Sequence, residues 1–198
     1  LVFVGDDRLV KPDFLLQHLL PQHKGSAVVL GDDHRLVHTH LFDPNELALN
    51  GIPPKPMQAP EDINTAAVLE ELTFDGKNDY GAIFTYFNSQ SRLPPSPWAF
   101  FTTANASLPR EMIQNVGGFD EYFCGWGLED SDLAYRLYQA NQYFQYAPQC
   151  ITLRQIRPSI AGRKQDMSSG INRFLSKHPR LDHGEQEMIR RSRYASVG

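Results

Sequence analysis

Carboxylates, aromatic rings and glycines are concentrated in one stretch of the 198-residue chain, residues 117–133. Its acidic residues are Asp120, Glu121, Glu129, Asp130 and Asp132. Carboxylates held close together repel one another. Their repulsion must be offset by a metal or a cationic ligand, or be tolerated because one of them is needed as a proton acceptor. The alternative is a helix N-terminus carrying acids beside an aromatic loop that packs. We favour a functional site, because that alternative explains one acid well and the others poorly.

A helix is predicted directly after these acids. Apolar or aromatic residues stand at 133, 134, 137, 138 and 140, which is a helical spacing. The carboxylates therefore fall in the first helical turn, where the helix macrodipole favours negative charge. The glycines of the stretch allow sharp turns or a close approach to a ligand; they are Gly117, Gly118, Gly125 and Gly127.

The order of these residues resembles the C-terminal catalytic segment of GT-A glycosyltransferases. The matching runs are Gly117-Gly118-Phe119-Asp120-Glu121, Gly125-Trp126-Gly127-x-Glu129-Asp130-x-Asp132-Leu133 and Arg136-Leu137. They are similar to bacterial family 2 enzymes and to the β-1,4-galactosyltransferase type. The resemblance implies a loop under the acceptor sugar that contains Trp126, as a sugar platform, and Gly127. It also implies that Asp130 is the base that deprotonates the acceptor hydroxyl, with Glu129 beside it holding the acceptor.

A second group of acids follows the apolar run at residues 1–4, which predicts a buried strand. Carboxylates at the C-terminal end of a buried parallel strand lie where an α/β sheet binds its ligand, and the alternative is an ordinary Asp-rich turn. With the resemblance, Asp6 and Asp7 correspond to the Asp-x-Asp signature, which holds Mg²⁺ or Mn²⁺ against the diphosphate of a nucleotide sugar. Gly5 stands where the first acid of that signature would be, so we expect Asp7 to be the main ligand.

Asn105 and Arg154 complete the set of candidate substrate-binding residues. Asn105 lies in a Thr-x-Asn-x-Ser stretch that is similar to the family, and could bond donor or acceptor hydroxyls or cap the helix that follows. Related enzymes often carry a histidine at about the place of Arg154, which can complete the metal site. Arginine stays protonated and cannot ligate a cation. One alternative is a metal held by fewer protein ligands than in related enzymes. A second is that Arg154 contacts the diphosphate as a fixed positive charge, and a third is that activity is lost.

The predicted elements indicate an α/β fold. Strands are predicted at residues 1–4, 26–31, 81–87, 98–101, 143–146 and 150–153, and helices at 11–20, 62–72, 109–116, 131–140, 164–177 and 185–194. The resemblance implies a GT-A (Rossmann-like) mixed sheet flanked by helices, of which this chain holds the C-terminal portion. We expect a partial GT-A domain over residues 1–180 and a helical tail over residues 181–198.

Charge and hydropathy limit the partners. A net charge of −4 argues against a general nucleic-acid binder. The chain has no long apolar run and no signal peptide pattern, which predicts no transmembrane segment and a cytoplasmic location. The tail arginines, Arg190, Arg191 and Arg193, are interpreted either as a peripheral contact with the inner membrane face, where a lipid-linked acceptor would lie, or as an ordinary solvated face.

Together these observations predict a bacterial glycosyltransferase of polysaccharide biosynthesis. It would move a sugar from a nucleotide-sugar donor to the hydroxyl of a saccharide or lipid-linked acceptor, with inversion and with a divalent cation, Mg²⁺ or Mn²⁺. The alternative is a catalytically inactive GT-A-like domain or fragment that binds carbohydrate or another partner. Turnover of nucleotide sugars discriminates between the two.

Overall fold

The computed structural model describes residues 1–6, 8–23, 25–37, 73–75, 94–124, 127–155 and 163–195, with the backbone alone at a few of them. These residues form two compact units, called here the sheet unit and the helical unit. The helix predicted at 62–72 and the strand predicted at 81–87 lie outside the described residues.

In the described residues, the sheet unit contains six strands and one helix. The strands are β1 (Val2–Val4), β2 (Arg8–Val10), β3 (Val28–Val37), β4 (Thr73–Asp75), β5 (Asn105–Ser107) and β6 (Phe144–Gln155), and the helix is α1 (Phe14–Gln22). The sheet order is β1-β5-β3-β6-β2, with β4 paired to β3 beside this path. The β3–β6 pair is parallel and the other pairs are antiparallel. The mixed sheet and its helices confirm the predicted α/β class.

Strands β3 and β6 form the centre of the sheet. Val28, Val29 and Phe144 are almost completely buried, as expected for central strands. The sequence predicted two strands at 143–146 and 150–153, and this was wrong, because β6 is one continuous strand. Its pairing with β3 shifts register around Pro148, since proline has no N–H to donate and a ladder irregularity accommodates it.

Two other short apolar runs do not form the predicted buried strands. β1 pairs antiparallel to β5 at the end of the described strand order, and Val4 is 48% exposed, so it is not a buried parallel strand. The run at 98–101 forms a short 3-10 helix, Pro97–Phe100, instead of a strand. Short apolar runs carry no clear period, so their sequence does not distinguish a strand from a buried helical turn.

The part of the helical unit that the structure describes contains that 3-10 helix and four α-helices. They are α2 (Arg110–Asn115), α3 (Glu129–Gln139), α4 (Arg163–Lys177) and α5 (His183–Ala195). Its core is aromatic: the Trp98 ring lies 5.0 Å from the ring of Tyr135 and stacks on that of Phe174 at 5.7 Å. The helices predicted at 109–116, 131–140, 164–177 and 185–194 are confirmed to within about two residues.

The helix of the predicted C-terminal tail is anchored within the helical unit. Asp182 and Glu185 form a capping box at the start of α5, in which each carboxylate accepts the backbone N–H of the other residue. Glu185 Oε1 also accepts hydrogen bonds from Ser96 Oγ at 2.7 Å and from Trp98 Nε1 at 3.3 Å. The domain boundary at residue 180 stays a prediction. No helix in the described part of the chain is both long and apolar enough to cross a membrane.

Candidate active site

The stretch of clustered acids, residues 117–132, is called here the acid loop, and it lies in the helical unit. It begins in a turn at Gly117 and Gly118, whose φ angles are 84° and 74°. Arg136 of α3 holds this turn by donating to the carbonyl oxygens of Val116 and Gly118, the second at 2.7 Å. The Gly-Gly motif is thus fixed to the helix that follows the loop.

The loop enters α3 through two residues with left-handed backbone angles. Gly127 has φ of 109° and Leu128 has φ of 70°, and the helix begins at the next residue, Glu129. A left-handed conformation costs a residue with a β-carbon about 1–2 kcal/mol. The Leu128 side chain is buried, which helps to hold this conformation. Backbone conformations of this kind are concentrated at functional sites, so this turn supports a functional site at the start of α3.

Glu129 fastens the turn from inside the helix. Its Oε2 accepts a hydrogen bond from the backbone N–H of Gly127 at 2.9 Å. Burial raises the pKa of Glu129, and the neighbouring carboxylate of Asp130 raises it further. One carboxylate oxygen of Glu129 therefore holds the backbone of the loop at Gly127. The sequence did not predict this hydrogen bond.

Asp130 lies next to Glu129 in the first turn of α3 and is half-buried. The helix N-terminus favours its charged form, which is the form a general base requires. The structure therefore brings Gly127, Glu129 and Asp130 together at one turn. Trp126 lies outside the described residues, so its role as a sugar platform stays a prediction.

Asp132 is completely buried and is surrounded by basic side chains. Its Oδ1 lies 2.8 Å from both Lys177 Nζ and His178 Nε2, and its Oδ2 lies 2.7 Å from Arg136 Nη2. Burial alone would raise the pKa of Asp132, but hydrogen bonds from His178, Lys177 and Arg136 outweigh burial and lower it to about 2. Protein side chains therefore supply the charge offset that the acid cluster requires at this position.

Asp120 has a similar structural role earlier in the loop. Its Oδ1 accepts the backbone N–H of Tyr122 at 2.9 Å, and its Oδ2 pairs with Lys177. The hydrogen bond from Lys177 lowers the pKa of Asp120. The five acids grouped by the sequence thus separate into Asp120 and Asp132, which pair with basic side chains, the pair Glu129 and Asp130 at the start of α3, and Glu121, which is exposed.

The basic partners of Asp132 were not predicted from the sequence. Arg136 follows Asp132 by four residues, and this helical spacing was a usable signal for an ion pair. His178 lies 46 residues from Asp132 along the chain, so no local pattern connects the two.

Asn105 lies in the sheet unit, where its amide is used internally. It is 2% exposed. Its Nδ2 donates to the carbonyl oxygens of Asp32 and Cys150, at 3.0 and 2.7 Å. Its Oδ1 accepts from His18 Nε2 at 3.0 Å, which leaves His18 Nδ1 to accept from the hydroxyl of Ser107. Burial lowers the pKa of His18, in keeping with this neutral tautomer.

These contacts favour a structural role for Asn105. Its contact with the substrate stays a prediction. The alternative that Asn105 caps the following helix was wrong, because the residue lies within β5 and α2 begins only at Arg110. The pattern of polar residues before a helix suggested a cap. The chain forms a strand there instead, since β5 pairs with both β1 and β3.

Replacing Asn105 with alanine is expected to destabilise the protein by about 2 kcal/mol, because buried polar partners lose their hydrogen bonds. The measurement is urea denaturation, with Asn172→Ala as the control, since Asn172 is exposed on α4. Direct contact with the donor would instead give unchanged stability and weakened nucleotide-sugar binding.

The candidate metal residues belong to the sheet unit. Asp6 lies in an exposed turn between β1 and β2, and this turn is closed by a hydrogen bond from Arg8 N to Gly5 O at 3.1 Å. Asp7 lies outside the described residues. Only the backbone of Arg154 is described, and it lies in β6 opposite Arg8. The described residues include no group of three His, Cys, Asp or Glu side chains that could hold a metal. The exposed carboxylate of Asp6 suits a hard cation, and the complete ligand set stays a prediction.

Comparison with known proteins places the acid loop in a recognised family segment. Residues 83–157 match the family described as the N-terminal domain of galactosyltransferase. The uncharacterized glycosyltransferase YfnE of Bacillus subtilis is 26% identical over 194 residues, which is 90% of this chain and 49% of that protein.

Two further relatives match over shorter lengths. Validoxylamine A glucosyltransferase of Streptomyces hygroscopicus is 38% identical over 88 residues, covering 43% of this chain and 20% of the relative. Chondroitin synthase of Escherichia coli is 32% identical over 81 residues, covering 41% of this chain and 12% of the relative. The chain thus spans about half the length of YfnE and less of the others. With the motif of the acid loop and the mixed sheet, these matches support a GT-A-like glycosyltransferase.

Proposed function

We propose that the protein transfers a sugar from a nucleotide-sugar donor to a hydroxyl of a saccharide or lipid-linked acceptor. The observation that carries this proposal is the position of Asp130, in the first turn of α3 directly after the left-handed turn at Gly127 and Leu128. A carboxylate there is favoured by the helix N-terminus, and the neighbouring Glu129 is bonded to the backbone of Gly127. The relatives are glycosyltransferases and polysaccharide synthases by name, which supports the same chemistry.

The reaction proposed is a single displacement with inversion. The proton of the acceptor hydroxyl passes to the Asp130 carboxylate, and the acceptor oxygen forms a bond to the anomeric carbon. The bond between that carbon and the diphosphate oxygen breaks, and its electron pair leaves with the nucleoside diphosphate. Glu129 keeps Gly127 in place during this step through its hydrogen bond. General base catalysis of this kind contributes about 10²–10⁴-fold to rate.

The proposal includes a divalent cation, Mg²⁺ or Mn²⁺, held by Asp7 with Asp6. When bound, such a cation neutralises charge on the diphosphate. Arg154 is proposed to add a fixed positive charge for the same diphosphate, because an arginine replaces the histidine of related enzymes.

Removal of divalent cations by EDTA is therefore expected to lower the rate of transfer at least about 100-fold, since the leaving group loses its charge stabilisation. Released nucleoside diphosphate is measured with UDP-, GDP- and dTDP-sugars, before and after addition of Mn²⁺ or Mg²⁺. The full-length protein is used. Undiminished transfer in EDTA would remove the metal from the mechanism.

The finer assignments are also part of the proposal. The acceptor is proposed to be a growing polysaccharide, because relatives are named chondroitin synthase and hyaluronan synthase. A family 2 enzyme of this kind would work in the bacterial cytoplasm, with the arginines of α5 as a candidate peripheral contact with the inner membrane face.

A second candidate function is a GT-A-like domain without activity that binds carbohydrate or another partner. Gly5 and Arg154 favour it, because they stand where the resemblance implies an acid and a histidine that hold the metal. No turnover of any nucleotide sugar by the folded full-length protein, with binding of glycans retained, would support this second function.

A further inference from the structure

We infer that α4 is a positioning helix for the acid loop, which it holds through one stripe of residues. The stripe consists of Met167, Gly170, Arg173 and Lys177, followed by His178 directly after the helix. The four members within the helix recur at intervals of three or four, so they share one side of it. Their importance for catalysis rests on the proposed function, but their contacts with the loop do not.

The closest contact is between two backbones. A β-carbon placed on Gly170 would lie 2.5 Å from the carbonyl oxygen of Gly127 and 3.3 Å from its carbonyl carbon. These atoms belong to the backbone and cannot turn away as a side chain can. Met167 completes the contact, because its sulfur and terminal methyl would lie 3.2 Å from a β-carbon on Gly127. The backbone contact therefore requires glycine at position 170, and the φ of 109° favours glycine at position 127.

The remaining members of the stripe hold the loop by charge. Arg173 donates to the carbonyl oxygen of Cys124, and its guanidinium lies 5.8 Å from the ring centre of Tyr122. Lys177 pairs with Asp120 and with Asp132 at once. α4 and the histidine after it therefore hold the loop at residues 120, 124, 127 and 132.

These contacts determine where Asp130 points. Leu128 keeps its left-handed angle between Gly127, which contacts α4, and Asp132, which is fixed by Lys177 and His178. Asp130 lies between these two fixed points. A displacement of Gly127 would rotate or shift the first turn of α3. An error of about 1 Å in the place of a catalytic group can lower a rate by about 100-fold.

The test is Gly170→Ala in the full-length protein, with Gly184→Ala as the matched control. The control also adds a β-carbon to a helix, but there it would meet only Asp182 Oδ1, at 3.3 Å, on an exposed side chain at the start of α5 and outside the acid loop. Gly170→Ala is expected to lower kcat for transfer about 100-fold with a smaller change in the KM for the acceptor. Amide hydrogen exchange over residues 120–131 is expected to accelerate in this variant and not in the control.

A second pair of variants keeps the inference testable if Gly170→Ala does not fold. Lys177→Met should accelerate amide hydrogen exchange over the same residues and lower kcat. Lys177→Arg keeps the positive charge, so its exchange rate and its kcat should both stay closer to those of the wild type. Wild-type exchange and wild-type kcat in Gly170→Ala would overturn the positioning role. Faster exchange in a protein that transfers no sugar even as wild type would support the positioning role and reject the proposed function.

Discussion

Replacement of Asp130 by asparagine is expected to lower kcat for sugar transfer by about 10³-fold and to leave the fold intact. Asparagine has nearly the same shape but cannot accept the proton of the acceptor hydroxyl, so the general-base contribution of about 10²–10⁴-fold is lost. The measurement is initial-rate transfer at saturating donor and acceptor. Thermal unfolding and circular dichroism establish that the variant is folded.

The matched control for this variant is Glu121→Gln. Glu121 is an exposed carboxylate of the same acid loop, and neutralising it changes the loop charge by the same amount. Transfer by this control should stay within about twofold of wild type, since exposed charges interact weakly through solvent. Full activity of Asp130→Asn would assign the base to another residue.

Asp132→Asn is expected to produce the largest loss of stability, about 3 kcal/mol. The asparagine would leave Arg136, Lys177 and His178 around a neutral amide in a buried position, and breaking a buried ion pair from one side typically costs about 3–5 kcal/mol. The measurement is the free energy of unfolding from urea denaturation. Asp182→Asn is the control, because it preserves an exposed helix cap that asparagine fills equally well.

The difference in unfolding free energy between wild type and Asp132→Asn should depend on pH. The pKa of Asp132 in the folded protein is lowered to about 2, below its value in the unfolded chain. Its contribution, about 2 kcal/mol, is therefore present above about pH 4 and is lost as pH falls toward 2. The stability difference between wild type and Asp132→Asn should shrink over this range. A difference that is constant from pH 7 to pH 3 would contradict the role assigned to its ionisation.

Helices and the motif of the acid loop could be predicted from the sequence because their signals are local. The spacing of apolar residues located α3, α4 and α5 nearly to their ends, and the carboxylates were placed correctly in the first turn of α3. Short apolar runs were less informative. The run that contains Trp98 became a 3-10 helix, since the aromatic partners that bury this ring come from α3 and α4.

The roles of individual acids and amides depended on partners that are distant along the chain. Asp132 resembled Asp130 in residue type and position, but its contacts with Lys177 at the end of α4 and with His178 give it a structural role. The sequence predicted that Asn105 caps a helix or binds the substrate. In the structure its amide oxygen accepts a hydrogen bond from His18, which lies 87 residues away along the chain.

By itself the sequence determined the α/β class, the helices and the carboxylate-bearing turn, because periodicity and a compact motif act over a few residues. Tertiary structure alone decided which carboxylates are neutralised by cations and which glycine lets α4 touch the loop. The physical reason is that a pKa and a steric contact depend on all atoms within a few ångströms, and folding brings those atoms from separate parts of the chain.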